Sequence, residues 1–109
     1  MPILMDWAMK GKFPLALLER MGARNPAATF GLNKGRIKVG MDADLAFFDT
    51  KRTVRIDADA LHSKAGHTAY AGMEAIFPDT VIVRGNVQIQ DGEYCGGAIG
   101  VDTSEHPRD

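Results

Sequence analysis

The chain has 109 residues, of which 45% are hydrophobic and 25% charged, and its net charge is −1. This length suits one domain, and the composition is that of a soluble globular protein. The nearly balanced charge gives no electrostatic reason to expect nucleic acid or an anionic membrane as partner.

The single cysteine, Cys95, cannot form an internal disulfide, which favours a reducing cytoplasmic location. No apolar run approaches the ~20 residues that a membrane-spanning helix needs. The N-terminal residues lack the basic-then-apolar order of a secretory signal. These features predict a cytoplasmic protein without a membrane partner.

The first 32 residues predict short helices. Leu15, Leu18 and Met21 recur at three-residue spacing, as on one face of a helix. A further helix is predicted at residues 25–32. Its boundaries are indicated by Asn25 as N-cap, Pro26 as first residue and Gly31 as the left-handed closing residue.

After residue 35 the apolar period changes from about 3.6 to 2, which predicts strands. A short strand is expected at Ile37 and Val39, and a second at residues 45–48, whose two apolar faces indicate a central position in the sheet. A third strand is expected at 53–56. Asp57 then suits the cap of a helical turn, and residues 63–80 are expected to be mostly loop.

Residues 81–90 predict a hairpin. Gly85 and Asn86 form a suitable two-residue loop of type II′, which would pair Ile82 with Ile89 and Arg84 with Val87. Residues 81–83 are apolar on both faces in this register. The residues after Asp91 are rich in glycine and charge, which is typical of a flexible tail.

An acidic cluster, Asp42 and Asp44 with Asp49 close behind, could hold a cation or form a turn. On a strand both carboxylates of the pair would share a face, but further ligands at suitable spacing are missing. Aspartate also stabilises turns by hydrogen bonding to nearby backbone N–H groups. The turn is the favoured interpretation.

Other polar residues give weaker signals. The spacing of His62 and His67 misses the four-residue helical spacing of a zinc pair, and Cys95 has no nearby base. Arg84 is more simply a hairpin residue than a substrate clamp, and no phosphate-binding loop surrounds Lys34. Core packing rather than cofactor contact is expected for Trp7 and for the methionines Met5, Met9 and Met21.

The order of these pieces carries more information than any one of them. The chain runs through Asn-Pro-Ala at 25–27, Phe-Gly-Leu at 30–32, Lys-Gly-Arg-Ile at 34–37 and Asp-Ala-Asp-Leu at 42–45, followed by Ser-Lys at 63–64, Tyr-Ala-Gly-Met at 70–73, Val-Arg-Gly-Asn at 83–86 and Asp-Gly-Glu-Tyr at 91–94. This run resembles the C-terminal end of the amidohydrolase superfamily. Within it, the run is most similar to the cyclic-amide hydrolases: dihydroorotases, allantoinases and hydantoinases (dihydropyrimidinases).

The resemblance implies an α+β chain without a TIM barrel. It implies a helical remnant at 1–32 and the C-terminal share of the family's accessory β-sandwich at 33–95, beyond which residues 96–109 are predicted from their composition to be a flexible tail. In the family, a barrel holds one or two divalent metals, usually zinc, which activate the water that attacks the ring amide. The histidines, carboxylated lysine and aspartate that bind those metals would precede Met1.

The resemblance therefore implies that this chain carries no catalytic, cofactor-binding or metal-binding residue and is inactive alone. Its expected partner is the missing barrel portion or a second copy of itself. A free-standing accessory module that assembles with a separate barrel chain is the alternative. A small hydrolase that uses Cys95 with a histidine is a third and weaker interpretation.

Overall fold

Short helices make up the N-terminal part of the computed structural model, which describes residues 1–102. Helix α1 spans Pro2–Met9, α2 spans Leu15–Glu19, and α3 spans Asn25–Thr29, with a π-helical turn at Arg20–Arg24 between the last two. None of these helices is long and apolar enough to cross a membrane. Residues 103–109, the end of the predicted tail, lie outside the described residues.

The predicted N-cap at Asn25 is wrong, because α2, the π turn and α3 form one continuous helical run. Asn25 has helical angles, φ −67° and ψ −45°, and its N–H donates to the carbonyl of Arg20, five residues earlier. Pro26 lacks an N–H and its ring crowds the preceding turn, so a wider π turn accommodates it within the helix. The helix ends as predicted: Gly31 has φ +66°, and the Leu32 N–H donates to the Ala27 carbonyl.

The strands form two antiparallel sheets. Strands β1 (Leu45–Phe47), β4 (Thr80–Val83), β5 (Asn86–Gln90) and β6 (Glu93–Tyr94) form the larger sheet, in the order β1-β4-β5-β6. Strands β2 (Val54–Arg55) and β3 (Glu74–Ala75) form the smaller one. The molecule is thus a small α+β structure with short helices and antiparallel sheets, as predicted.

Three strand predictions need correction. Strand β1 lies at an edge of its sheet, while β4 is the inner apolar strand. Residues Ile37 and Val39 form no strand, because no neighbouring segment of the described chain pairs with them. The region 63–80, expected to be mostly loop, also contributes β3. By contrast, the strand near 53–56 is confirmed as β2, and Asp57 caps the 3₁₀ turn Ala58–Ala60 by accepting a 3.0 Å hydrogen bond from the Asp59 N–H.

The 81–90 hairpin is present, but its predicted turn is displaced by one residue. Val83 pairs with Asn86 and Ile82 with Val87, so the two turn residues are Arg84 and Gly85. Both have positive φ, 46° and 79°, which is the type I′ geometry rather than II′. The backbone N–H of Arg84 is held by the Asp44 side chain, and this contact with a distant loop stabilises the observed turn.

The core lies between the helices and the smaller sheet. Met5, Leu18 and Ile76 form it, with Phe13 and Phe48 packed against them. The Ile76 N–H donates to the Pro2 carbonyl at 3.0 Å, which fixes α1 beside β3. Met5 is a core residue as predicted, whereas the other two methionines are exposed: Met9, and Met21 with 64% of its surface accessible.

The larger sheet has no such cover. In residues 1–102 no helix packs across either of its faces, although residues of β1 and β4 are apolar on both sides. Phe47 is half exposed and every residue of β4 is only partly buried. Helix α1 packs against the smaller sheet, at β3.

Candidate functional site

Asp44 joins two loops that are distant in sequence. Its Oδ1 accepts a 2.8 Å hydrogen bond from the Arg84 N–H, and its Oδ2 lies 2.5 Å from Lys34 Nζ. The Gly85 N–H also donates to the Ala43 carbonyl at 3.0 Å. The residue therefore ties the loop before β1 to the turn of the β4–β5 hairpin.

The other two aspartates of the cluster lie in local backbone turns, Asp49 bonded through its side chain and Asp42 through its backbone N–H. The Asp42 N–H donates to the Asn33 carbonyl at 2.8 Å, and Asp49 Oδ1 accepts from the Lys51 N–H at 3.1 Å, as in an Asx turn. The three carboxylates do not converge on one point as cation ligands would. The acidic cluster therefore lies in turns, as predicted. It does not connect two strands, because the segment before it in the described chain is not a strand.

The pKa of the Asp44 carboxyl lies below its ordinary value near 3.8. Partial burial raises this pKa, but the hydrogen bonds from Lys34 Nζ and the Arg84 N–H together outweigh that effect. A depressed folded-state pKa means that the ionised group stabilises the fold above 3.8, and this contribution is lost as pH falls through the folded-state pKa.

Asp44→Ala is expected to lower the unfolding free energy by about 1.5–3 kcal/mol at neutral pH, because a charged hydrogen-bond acceptor is lost. Asp44→Asn keeps an oxygen for the Arg84 N–H and loses only the ion pair, so about 0–1 kcal/mol is expected. Urea unfolding from neutral pH to below 3.8 checks both variants. The difference between wild type and Asp44→Ala should shrink on acidification, and a pH-independent difference would contradict this assignment.

The remaining candidate residues stay apart. His62 and Cys95 are exposed, and the His67 ring nitrogen Nδ1 lies 3.1 Å from the Ala65 carbonyl of its own loop. The Arg84 guanidinium donates to the Ile99 carbonyl. Within residues 1–102 no three histidine, cysteine, aspartate or glutamate side chains are arranged to hold a metal ion. That the chain carries no site residues stays a prediction.

A charged cluster that the sequence did not predict connects α1 to the smaller sheet. Asp6 is buried, and its Oδ2 lies 2.8 Å from Lys10 Nζ, which also lies 2.5 Å from Glu74 Oε2. The ion pair with Asp6 and the hydrogen bond to Glu74 raise the pKa of this lysine. The four-residue spacing of Asp6 and Lys10 is a readable helical signal, but Glu74 is 64 residues away from Lys10.

An apolar cleft of about 490 Å³ lies between α1 and the loops around residues 56–77. Leu4, Tyr70 and Phe77 remain partly exposed in it, with 40%, 57% and 39% of their surfaces accessible. Among the described residues that line this cleft none has a charged side chain, and its polar side chains are those of Thr68 and Tyr70. Its chemistry suits apolar side chains. The residues that define it are Leu4, Trp7, Ile56, Leu61, Tyr70 and Phe77.

Comparison with known proteins gives a consistent answer. Residues 1–88 match the amidohydrolase family. The chain is 41% identical over 100 residues to a dihydroorotase of Thermoplasma acidophilum, covering 92% of this chain and 24% of that protein. A solved D-hydantoinase superposes with a TM-score of 0.76 at 32% identity, covering 81% of this chain and 20% of that one. The L-hydantoinase (dihydropyrimidinase) of Arthrobacter aurescens gives a TM-score of 0.75 at 32% identity, with 80% and 20% covered.

The chain thus spans about a quarter or less of the length of these relatives. The match extends over the helices and most of the strands, and it includes the Asp44 loop and the displaced hairpin turn. The resemblance seen in the sequence motifs is confirmed: the chain belongs to the amidohydrolase family, with dihydroorotases and hydantoinases among its relatives.

Proposed function

We propose that this chain is the non-catalytic C-terminal portion of a metal-dependent hydrolase that cleaves the C–N bonds of cyclic amides. The proposal rests on the similarity to a dihydroorotase: 41% of the aligned residues are identical, and the aligned segment makes up only 24% of the length of that protein. The described strands would be its share of the accessory β-sandwich, and the lone exposed Cys95 suits a cytoplasmic setting.

Within residues 1–102 the side chains do not fit the family's catalytic metal. The carboxylates of Asp44, Asp49 and Asp57 are used in an ion pair and in turns. His62 and His67 are exposed on one loop, and in the described residues no three histidine, cysteine, aspartate or glutamate side chains are arranged to hold a metal ion. We therefore assign the hydrolytic step to the rest of the enzyme and give these residues a supporting role.

Apolar surface is the feature through which such support would act. Leu4, Tyr70 and Phe77 are accessible in the cleft, and Phe47 and Tyr94 are accessible on the larger sheet. Covering a large apolar side chain contributes about 1.5–3 kcal/mol, and folded domains have a total stability of only about 5–15 kcal/mol. Contact with a catalytic portion would therefore stabilise both parts substantially.

The test uses the T. acidophilum dihydroorotase with its matching segment removed, mixed with this chain. We expect neither part alone to hydrolyse dihydroorotate and the mixture to do so, with zinc retained by the larger part. Metal analysis after gel filtration assigns the zinc. Turnover by this chain alone, or stoichiometric zinc bound to it, would overturn the proposal.

Self-association is the second candidate, because both faces of the larger sheet lack helical cover in the described part of the chain. In that case the chain would be a free-standing accessory module. Light scattering at micromolar concentration distinguishes the two candidate functions. A dimer of this chain that does not bind the truncated dihydroorotase favours the free-standing accessory module. A stable monomer that binds the truncated enzyme favours the C-terminal portion.

A further inference from the structure

Asp6 is a charged residue in the interior of the described structure, with only 2% of its surface accessible. Its Oδ2 accepts no hydrogen bond in residues 1–102, and its compensation there is the ion pair with Lys10 Nζ at 2.8 Å. A buried carboxylate without a compensating cation is strongly unfavourable. The packing that buries Asp6 therefore depends on the charge of Lys10.

Lys10 also joins α1 to the smaller sheet. Its Nζ lies 2.5 Å from Glu74 Oε2 on β3, and 45% of its side chain is exposed to solvent. Arg55 Nη2, on β2, lies 4.0 Å from Glu74 Oε1, so Glu74 keeps a cation nearby even without Lys10. The two carboxylates thus differ: in the described chain Asp6 relies on Lys10 alone, whereas Glu74 does not.

Helix α1 can separate from its neighbours as a unit. Among the described helices and strands it packs only against α2 and β3. The link that follows it contains Gly11, which has φ +80° and open space where a Cβ would lie, so the link can change direction without a steric clash. Separation would expose Asp6 to water, uncover Ile76 and part the two walls of the apolar cleft.

We propose that α1 is a detachable cover of the core around Ile76, held closed by the charge of Lys10 on the buried Asp6. Without that charge the Asp6 carboxylate is uncompensated while α1 is docked, but it is solvated by water when α1 is detached. The charge of one half-exposed lysine therefore sets how often the core and the cleft open. This inference does not depend on the proposed function.

Native-state amide hydrogen exchange followed by NMR tests the proposal. The Ile76 N–H donates to the Pro2 carbonyl at 3.0 Å, so its exchange rate reports how often α1 detaches. In Lys10→Met this amide should exchange about tenfold faster than in the wild type, or more. The Gly85 N–H, bonded to the Ala43 carbonyl beside the larger sheet, should keep its wild-type rate.

Three further variants separate the charge of Lys10 from its other contacts. Lys10→Met combined with Asp6→Asn should slow Ile76 exchange at least about threefold relative to Lys10→Met alone, because the buried group is then neutral. Glu74→Gln should accelerate it by about threefold at most, since Lys10 still neutralises Asp6. The matched control Lys64→Met, at an exposed lysine on another loop, should change neither amide.

Unchanged Ile76 exchange in Lys10→Met overturns the proposal, as does a double variant that shows no recovery. Equal acceleration at Ile76 and Gly85 also overturns it, because the whole molecule rather than α1 would then be opening. If circular dichroism shows that Lys10→Met is unfolded, a folded double variant supports the proposal and an unfolded one overturns it.

Discussion

Gly35→Ala is expected to lower the unfolding free energy by about 3 kcal/mol or more. Gly35 has φ +89°, a conformation that costs a residue with a side chain about 1–2 kcal/mol. An added Cβ would also lie 2.6 Å from the Ala23 carbonyl oxygen and 2.7 Å from Ala27 Cβ. Neither contact can relax by a side-chain rotation, because one is backbone and the other is the methyl group of an alanine. Urea unfolding followed by circular dichroism measures the loss.

Gly40→Ala is the matched control. Gly40 has φ +91°, but an added Cβ would meet nothing within 4 Å. This variant should show the backbone cost alone, about 1–2 kcal/mol. If the two variants lose the same free energy, the close approach of the 33–35 loop to the helix at Ala23 and Ala27 is not the cause.

Ile76→Ala is expected to cost about 2–5 kcal/mol, since it removes a fully buried side chain and leaves a cavity. Ile76 packs with Met5 and Leu18 and is the point at which α1, α2 and the end of β3 meet. This loss is a large fraction of a typical total stability of about 5–15 kcal/mol, so the variant should unfold much more readily than the wild type. Thermal and urea unfolding together measure the change.

Ile76→Val serves as the graded comparison for this site. It removes one methylene group and should cost about 0.5–1.5 kcal/mol. A small and equal loss in both variants would show that the stabilising core lies elsewhere. Phe47→Ala, at a half-exposed strand position, should be much milder than Ile76→Ala in the isolated chain.

Features set by neighbouring residues could be read from the sequence. Gly31 closes α3 because glycine adopts positive φ at little cost, and Asp57 caps the turn that follows it directly. The alternation of apolar and polar residues around Val54 predicted strand β2 correctly, although the sequence did not identify β3 as the strand with which it pairs. In each case the decisive interactions lie within a few residues, where composition and spacing carry the information.

Features that depend on contacts between residues distant in sequence could not be predicted from the sequence. Arg84 takes a positive φ in a turn whose N–H groups are bound by a loop 40 residues away, so the hairpin alone suggested another turn. The apolar run of β1 suggested an inner strand, yet it pairs on one side only in the described chain. The cleft combines α1 with residues near 56–77, a juxtaposition that only the packed core creates. Glu74 reaches Lys10 for the same reason.

The π turn at Arg20–Arg24 has an evolutionary consequence. A π turn is an α-helix that carries one inserted residue, so deletion of a single residue there, in a chain that also lacks Pro26, converts it to ordinary helix. The helices before and after it can then keep their phase, and with it the packing of Leu18 and Ala27. Natural length variation among homologues should therefore concentrate at this site and spare the flanking turns.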